Sequence, residues 1–349
     1  MTRRIAFARW HSDVPSGGNR YDDTLTFCLK AASLDVREYS VAGSWPFPSD
    51  HDYESLRNLL TGDASHAEQH WLINNILGAA APDLLRAAAT SGRRMTLLMH
   101  YFAADEPDQP LATRQLLEAN EAAAVAVSHS VIATSEWAAS EVTKRYGRTD
   151  IIVAQPGVDS APLAPGSLRS ARPPHLLWLG RLTRTKDPAT FIEALATLRH
   201  LDWTAQLVGP ETIDPELSRD VRARITSVGL ADRVEVTGAR AGAALEAIWH
   251  RTDLLVHTAR SEAYGMVMTE ALARGIPSVV PAGTGAVEAQ HGVGETFVAG
   301  DAEALAKQIG AWLTDATLRN RWREDAAAQR HTLPTWQETA RIVAAALAN

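Results

Sequence analysis

The sequence predicts an α/β protein built as two doubly wound domains, and three observations predict it. The chain has 349 residues, too many for one ordinary core and suited to two domains of moderate size. Short apolar runs alternate with longer helical patterns, which implies parallel strands joined by crossover helices. A stretch rich in Pro, Gly and Ser, 161–167 and then 171–174, carries no apolar period and separates two such series.

The first series pairs the apolar run 5–8 with a helix near 21–33, 71–73 with a helix near 82–91, and 95–99 with a helix near 111–124. The second runs 176–179, helix 188–198, 205–208, helix 215–228, 234–236, helix 242–250, 254–256, helix 265–274 and 278–280, a complete doubly wound unit. Two helical patterns, 312–328 and 334–347, close the chain around Leu333-Pro334. The expected domains are therefore 1–165 and 174–332, with the segment 334–349 a last helix that packs back on the first domain. In such folds ligands bind outside the carboxyl ends of the strands, and two facing domains make a cleft for substrate.

Composition narrows the function classes. Hydrophobic residues at 46% and charged residues at 21% describe a packed globular protein. The net charge of -7 argues against nucleic acid as the main partner, since affinity for a phosphate backbone needs a basic surface. Lysine is confined to Lys30, Lys144, Lys186 and Lys307, so cationic work falls mostly to arginine. Cys28 is the sole cysteine, which excludes an intramolecular disulfide and fits a reducing compartment. The N-terminal apolar run is too short for a signal peptide and nothing approaches the roughly 20 apolar residues of a membrane span. A cytoplasmic protein without membrane association is expected.

Two segments carry chemistry. Ser261-Glu262-Ala263-Tyr264-Gly265-Met266-Val267-Met268-Thr269-Glu270 follows an apolar run and feeds a helix. The N–H groups of Gly265, Met266 and Val267 can attract phosphate through unpaired donors and the positive dipole end. Glu270 can accept from vicinal hydroxyls such as those of a ribose, and Glu262 from those of a sugar. A solvent-facing helix acid and a loop acid would give the same spacing. Gly180-Arg181-Leu182-Thr183-Arg184-Thr185-Lys186-Asp187 ends the strand 176–179 and presents two cations to one polyanion, Arg181 as a bidentate fork and Lys186 as a point charge. A solvated basic loop reads the same way when taken alone.

Other signals are thinner. Gly17-Gly18-Asn19 after the first strand is at least a flexible turn, and no G-x-G-x-x-G or P-loop pattern occurs. His66 and His70 share a helical face in the expected structure, yet the order His-Ala-Glu-Gln-His misplaces the glutamate for a metalloprotease and supplies no third ligand. Asp50-His51-Asp52 lies in a polar stretch and reads as a solvated loop. No metal site is expected.

Together, Gly180-Arg181 with Lys186, Gly209 after a strand, Val236-Thr237-Gly238, and Glu262 through Tyr264-Gly265 and Glu270 to Gly275-Ile276-Pro277 resemble the retaining glycosyltransferases of family 4, of GT-B fold. The match runs from about residue 131 to 313 and includes Ala133-Thr134-Ser135 and Gln155-Pro156-Gly157-Val158-Asp159. The resemblance implies two doubly wound Rossmann-like domains facing across a cleft, and a nucleotide-diphosphate sugar as co-substrate with no further cofactor. It implies that Arg181 and Lys186 contact the donor diphosphate, that Glu270 binds the ribose and that Glu262 lies at the donor sugar. It also implies that Gly17, Gly18, Gly180, Gly209, Tyr264, Gly265, Met266 and Val267 approach the donor, with Gly283-Thr284-Gly285 and Glu288 as a further donor-side loop.

His100, closing the strand 95–99, is by position alone an ordinary hydrogen-bonded residue, whereas the resemblance places it near the reacting sugar. Tyr101 and Glu106 are then acceptor-side candidates, Glu106 orienting either an acceptor or the imidazole. Base identity would depend on contacts near Gly238-Ala239-Arg240. The expected function is a retaining, metal-free sugar transfer to an acceptor hydroxyl, a small molecule or a glycan. The alternatives are a GT-B sugar-nucleotide epimerase or hydrolase, and a non-catalytic sugar-nucleotide-binding protein.

Overall fold

A computed structural model describes residues 4–10, 14–62, 69–167 and 172–348. In chain order the elements are β1 Arg4–Trp10, α1 Gly17–Ala31, β2 Asp35–Val41, α2 Asp50–Thr61, β3 His70–Asn74, α3 Asn75–Ala80, α4 Pro82–Thr90, β4 Arg94–Met99, α5 Leu111–Val127, β5 Ser130–Ala133, α6 Glu136–Tyr146 and β6 Ile151–Val153. There follow β7 His175–Leu179, α7 Pro188–Thr197, β8 Thr204–Val208, α8 Pro215–Ser227, β9 Val234–Val236, α9 Gly242–Arg251, β10 Leu254–Val256, α10 Met266–Ala273, β11 Ser278–Pro281, α11 Ala286–Ala289, β12 Gly294–Phe297, α12 Ala302–Thr314, α13 Ala316–Gln329 and α14 Trp336–Ala348.

The chain divides into two units, one of 1–157 with 334–349 and one of 158–333. Each holds a parallel six-stranded sheet, ordered β2-β1-β3-β4-β5-β6 in the first and β12-β11-β10-β7-β8-β9 in the second. In the second unit the winding leaves β7 toward β8 and β9, then reverses to β10, β11 and β12. The switch point therefore lies between β7 and β10, where the loops at the carboxyl ends part and leave a crevice. In the first unit it lies between β1 and β3.

Strands buried on both faces must be apolar throughout, which is why these ones read as runs. In β7, Leu176 and Trp178 enter the cluster under α7, α8 and α12, while Leu177 enters the cluster under α9, α10 and α11. β2 escapes that rule. It is an edge strand, Asp-Val-Arg-Glu-Tyr-Ser-Val, with only Val36 and Val41 buried, and so carried no apolar run.

Three expectations are corrected. The Pro-rich stretch from Ala161 to Ser167 is part of the second unit: Ala164 is buried, its N–H donates to the Arg274 carbonyl at 2.9 Å, Gly166 N–H donates to the His250 carbonyl at 3.1 Å, and Ser167 N–H donates to Asp253 at 2.8 Å. Asp50-His51-Asp52 is the first turn of α2, where Asp52 and the N-cap Ser49 satisfy each other's backbone N–H groups in a capping box. His70 opens β3 as a buried strand residue, so it presents no helical face, and His66 lies outside the described residues.

Helix α14 belongs to the first unit, as expected of a helix that follows the stop at Leu333-Pro334. Trp336 is buried edge-on against Tyr21, ring centres 5.6 Å apart, and Thr339 donates its hydroxyl to the Gln155 carbonyl at 2.6 Å. Trp336→Ala removes a large buried ring and is expected to destabilise the first unit by about 3–5 kcal/mol. Stepwise denaturation with intrinsic fluorescence and limited proteolysis would show the loss in the first unit's transition, with the second unit's transition unmoved.

Candidate active site

In the second unit, backbone hydrogen bonds hold together the loops at the carboxyl ends of five strands. Gly180 N–H, after β7, donates to the Val208 carbonyl at 3.0 Å, and Gly209 N–H, after β8, donates to the Gly238 carbonyl at 3.1 Å. A Cβ on Gly209 would sit 1.7 Å from the Gly180 carbonyl oxygen, so only glycine allows this approach. Arg260 N–H, after β10, donates to the Thr185 carbonyl at 2.8 Å, and Gly285 N–H, after β11, donates to the Glu262 carbonyl at 2.8 Å. The two chemistry-bearing segments therefore flank the switch point between β7 and β10.

The turn carrying Lys186 is fixed from beneath. Asp187 takes the left-handed conformation with φ of 50° and caps α7, accepting from Thr190 N–H at 3.2 Å and from its hydroxyl at 2.7 Å. Arg260 pairs with the same carboxylate at 2.9 Å. Thr258 accepts from the Trp178 indole at 2.8 Å, and its hydroxyl lies 2.8 Å from both the Lys186 and the Asp187 carbonyls.

Above that floor Lys186 Nζ lies 2.5 Å from Glu262 Oε2, and His257 Nε2 lies 3.0 Å from the same oxygen. Burial opposes a charge on Glu262, yet the adjacent Lys186 ammonium and the contact with His257 overcome it and hold the carboxyl well below its ordinary value. Burial lowers the His257 pKa, and the nearby Lys186 charge adds to that effect against the pull of Glu262. The cluster is a carboxylate shared by a cation and a neutral buried ring. Sequence reasoning had directed Lys186 at a donor alone and missed His257, although His257 directly ends the run Leu254-Leu255-Val256. It missed Asp187 as well, a residue that Pro188 marked as a helix cap.

Arg181, half-buried, has no side-chain ion pair or hydrogen bond among the described residues, which leaves its fork available to an anion. Gly265 has φ of 88°, a conformation suited to glycine, and opens α10 without a side-chain cap. The N–H groups of Met266 and Val267 form the first turn of that helix. Glu270 is half-buried one turn later, its carbonyl accepting from Arg274 at 2.9 Å. Tyr264 is different. Its ring is buried in the core with Val208, Leu255 and Ala286, so this position can meet a ligand only through backbone. Arg240 is exposed and donates to its neighbour's carbonyl at 3.1 Å. Thr284 is buried, its hydroxyl donating to the Pro281 carbonyl at 3.1 Å, and Glu288 is half-buried on α11.

In the first unit Gly17, Gly18 and Asn19 form the first turn of α1, capped by Ser16, which accepts from Asn19 N–H at 3.1 Å. Gly18 lies against the His100 ring. His100 Nε2 is 2.8 Å from Oδ1 of the buried Asp22, whose Oδ2 accepts from Asn74 at 3.0 Å. The carboxylate that orients the imidazole is thus Asp22, one helical turn past Gly18, and not Glu106. Glu106 instead follows a short turn, its N–H donating to the Ala103 carbonyl at 3.4 Å. Asn75 accepts from His100 N–H at 3.0 Å and donates to the Tyr101 carbonyl at 2.7 Å and to Glu121 at 2.9 Å. Burial raises the Glu121 pKa to about 7, against hydrogen bonds from Tyr146 and Asn75 that favour the carboxylate.

Among the described residues no group of three His, Cys, Asp or Glu is placed to hold a metal ion, and no helix is long and apolar enough to cross a membrane.

Residues 159–329 match the model of the family described as glycosyl transferases group 1. A D-inositol 3-phosphate glycosyltransferase of Segniliparus rotundus is 27% identical over 269 residues, covering 74% of this chain and 54% of the relative. The chain spans about half the length of the curated relatives it matches. Among solved structures, a sucrose-phosphate synthase of Thermosynechococcus elongatus has a TM-score of 0.79 at 19% identity, covering 99% of this chain and 98% of that one. The Anabaena protein HepE, in complex with UDP and glucose, has a TM-score of 0.75 at 20% identity, covering 99% of each chain. These likenesses show the fold, GT-B, and the family match shows that the second unit belongs to the glycosyl transferases group 1.

Two stability measurements test the electrostatics. Because the Glu262 pKa is depressed, its contribution is present above the ordinary value of 4.5 and is lost as pH falls through the folded value. Glu262→Gln is expected to cost roughly 1–3 kcal/mol at neutral pH, from leaving Lys186 short of a partner, with the gap closing in acid. Glu121 is the opposite case. Its folded pKa is raised, so stability falls as pH rises between 4.5 and about 7. Glu121→Gln is expected to gain roughly 1–3 kcal/mol at pH about 8 and almost nothing near pH 5, read from denaturant midpoints.

Proposed function

We propose that this protein is a group 1 glycosyl transferase, a retaining enzyme that moves a sugar from a nucleotide-diphosphate donor to an acceptor hydroxyl without a metal ion. The observation that carries the reading is the placement of Arg181, Lys186, Glu262 and the start of α10 around one switch point. A departing diphosphate develops negative charge, and catalysis there means fixed positive charge waiting for it. Arg181 supplies a fork, Lys186 an ammonium, and the first N–H groups of α10 a dipole end worth roughly 0.3–2 kcal/mol. No single one of these suffices, and their shared position at the switch point supports the reading.

In the proposed reaction the bond from sugar to phosphate loosens into an oxocarbenium-like state. The acceptor hydroxyl attacks from the same face and gives its proton to the departing phosphate oxygen, so no protein base is required. Glu262 lies at the donor sugar and Glu270 at the ribose. Tyr264 acts through its backbone. In the first unit Gly17, Gly18, His100, Tyr101 and Glu106 are the residues to test for a part in substrate binding. HepE, solved with UDP and glucose, makes a UDP-sugar the first donor to try. The relatives named for inositol 3-phosphate and sucrose phosphate make a small polyhydroxy phosphate the first acceptor. Cys28 is a free buried thiol, which fits a reducing setting such as the cytoplasm.

The test is turnover of UDP-, ADP-, GDP- and TDP-sugars with a panel of polyol and sugar phosphates, with anomeric configuration read by NMR. Arg181→Ala is expected to lower kcat by about 10²–10³ with an unchanged melting temperature, and turnover is expected to persist in excess chelator. Unimpaired turnover in Arg181→Ala, or inversion at the anomeric carbon, would overturn the reading.

A further inference from the structure

His257 is the member of the cluster with no part in the proposed transfer. It is 4% exposed, directly follows β10, and shares Glu262 Oε2 with Lys186. In this structure Lys186 has an internal partner at 2.5 Å, so an anion that draws the ammonium to itself competes with Glu262 for it. That withdrawal would leave a buried carboxylate short of a cation, a costly state. The ring at 3.0 Å is the group placed to relieve it.

We infer that donor binding is coupled to uptake of one proton by His257, which replaces Lys186 as the cation beside Glu262 when Lys186 turns to the diphosphate. The inference deepens the proposed function and rests on it. The neutral ring donates Nε2–H to Glu262; the added proton, taken from solvent, goes to Nδ1 and makes the ring an imidazolium. The ion pair of Lys186 with Glu262 is exchanged for one of His257 with Glu262, and Glu262 again has a cation beside it after Lys186 leaves. His257 is a positioning residue here: it holds Glu262 in place and touches neither sugar nor phosphate.

The charged groups that act on the ring are Glu262, from the loop before α10, and Lys186, from the turn before α7. Both change in the same sense when Lys186 moves away. Its repulsion is removed and the attraction of Glu262 is left unshared, so the ring binds its proton more tightly in the complex than in the free protein. Proton uptake on binding follows, and affinity falls as pH rises through the ring's value in the complex, by up to about tenfold per pH unit.

The experiment is calorimetric titration of the full chain with UDP-glucose, and in parallel ADP-glucose and GDP-mannose, in buffers of different ionisation enthalpy near neutral pH. These donors carry diphosphate diesters that do not titrate there, so any proton comes to the protein. The expected result is uptake approaching about one proton per donor in the wild type and near zero in His257→Gln. Binding with no proton uptake in the wild type, or with undiminished uptake in His257→Gln, overturns the inference and leaves the glycosyltransferase reading standing. Binding of none of the donors overturns that reading, and this inference with it. A second measurement needs no donor: in Lys186→Met the His257 ring, followed by NMR, is expected to titrate at higher pH than in the wild type. An unchanged midpoint sinks the exchange.

Discussion

A carboxylate largely removed from water cannot stay ionised alone, and Glu262, with its side chain 14% exposed, is the constraint around which the second unit's loops are arranged. Taking its charge out of water costs several kcal/mol unless partners offset it. Lys186 and His257 do so at 2.5 and 3.0 Å, and each is delivered by a different strand end. The Lys186 turn is in turn held by Asp187, Thr258 and Arg260, so charge, cap and backbone contacts specify a single geometry. Removing Asp187 would leave the start of α7 without its cap.

The topology explains why these groups meet. In a parallel sheet all carboxyl ends face one way, and the reversal of winding between β7 and β10 separates the loops just there. Residues 180–187 and 257–270 are distant in sequence and adjacent at that gap. Gly209 and Gly265 let the backbones come close enough for it, one by lacking a Cβ against the Gly180 carbonyl and the other by adopting φ of 88°.

Much of this was legible in the sequence, and what was not has identifiable causes. Strands buried on both faces announce themselves as apolar runs, so β1, β3, β4 and the inner strands of the second unit could be placed. The edge strand β2 could not, because Arg37, Glu38 and Ser40 are exposed at the sheet edge and break the apolar run. The linker was misread since Pro and Gly signal an irregular path, not whether that path is packed; Ala164 shows that this one is. Arg181, Lys186, Glu262 and Glu270 are picked out by spacing, and the fold brings Lys186 and Glu262 into contact. Asp22 was not, because its partner His100 lies 78 residues away and only the fold brings them to 2.8 Å. His257 looked like the polar end of a strand, and nothing in its neighbourhood announces that it faces Glu262.

The pairing of Lys186 with Glu262 also bears on selectivity. An ammonium already satisfied by a carboxylate gains little from exchanging it for a single weak anion, since the new contact must first replace the old one. A diphosphate offers more: two phosphoryl groups that Arg181, the α10 N–H groups and Lys186 can address together, on the proposed reading. On that reading the internal ion pair would act as a threshold against a lone carboxylate or chloride. A site built from free cations would attract any passing anion through screened attraction alone. One whose cation is held in reserve responds to the ligand that engages its several donors at once, and the buried trio sets how strong that ligand must be.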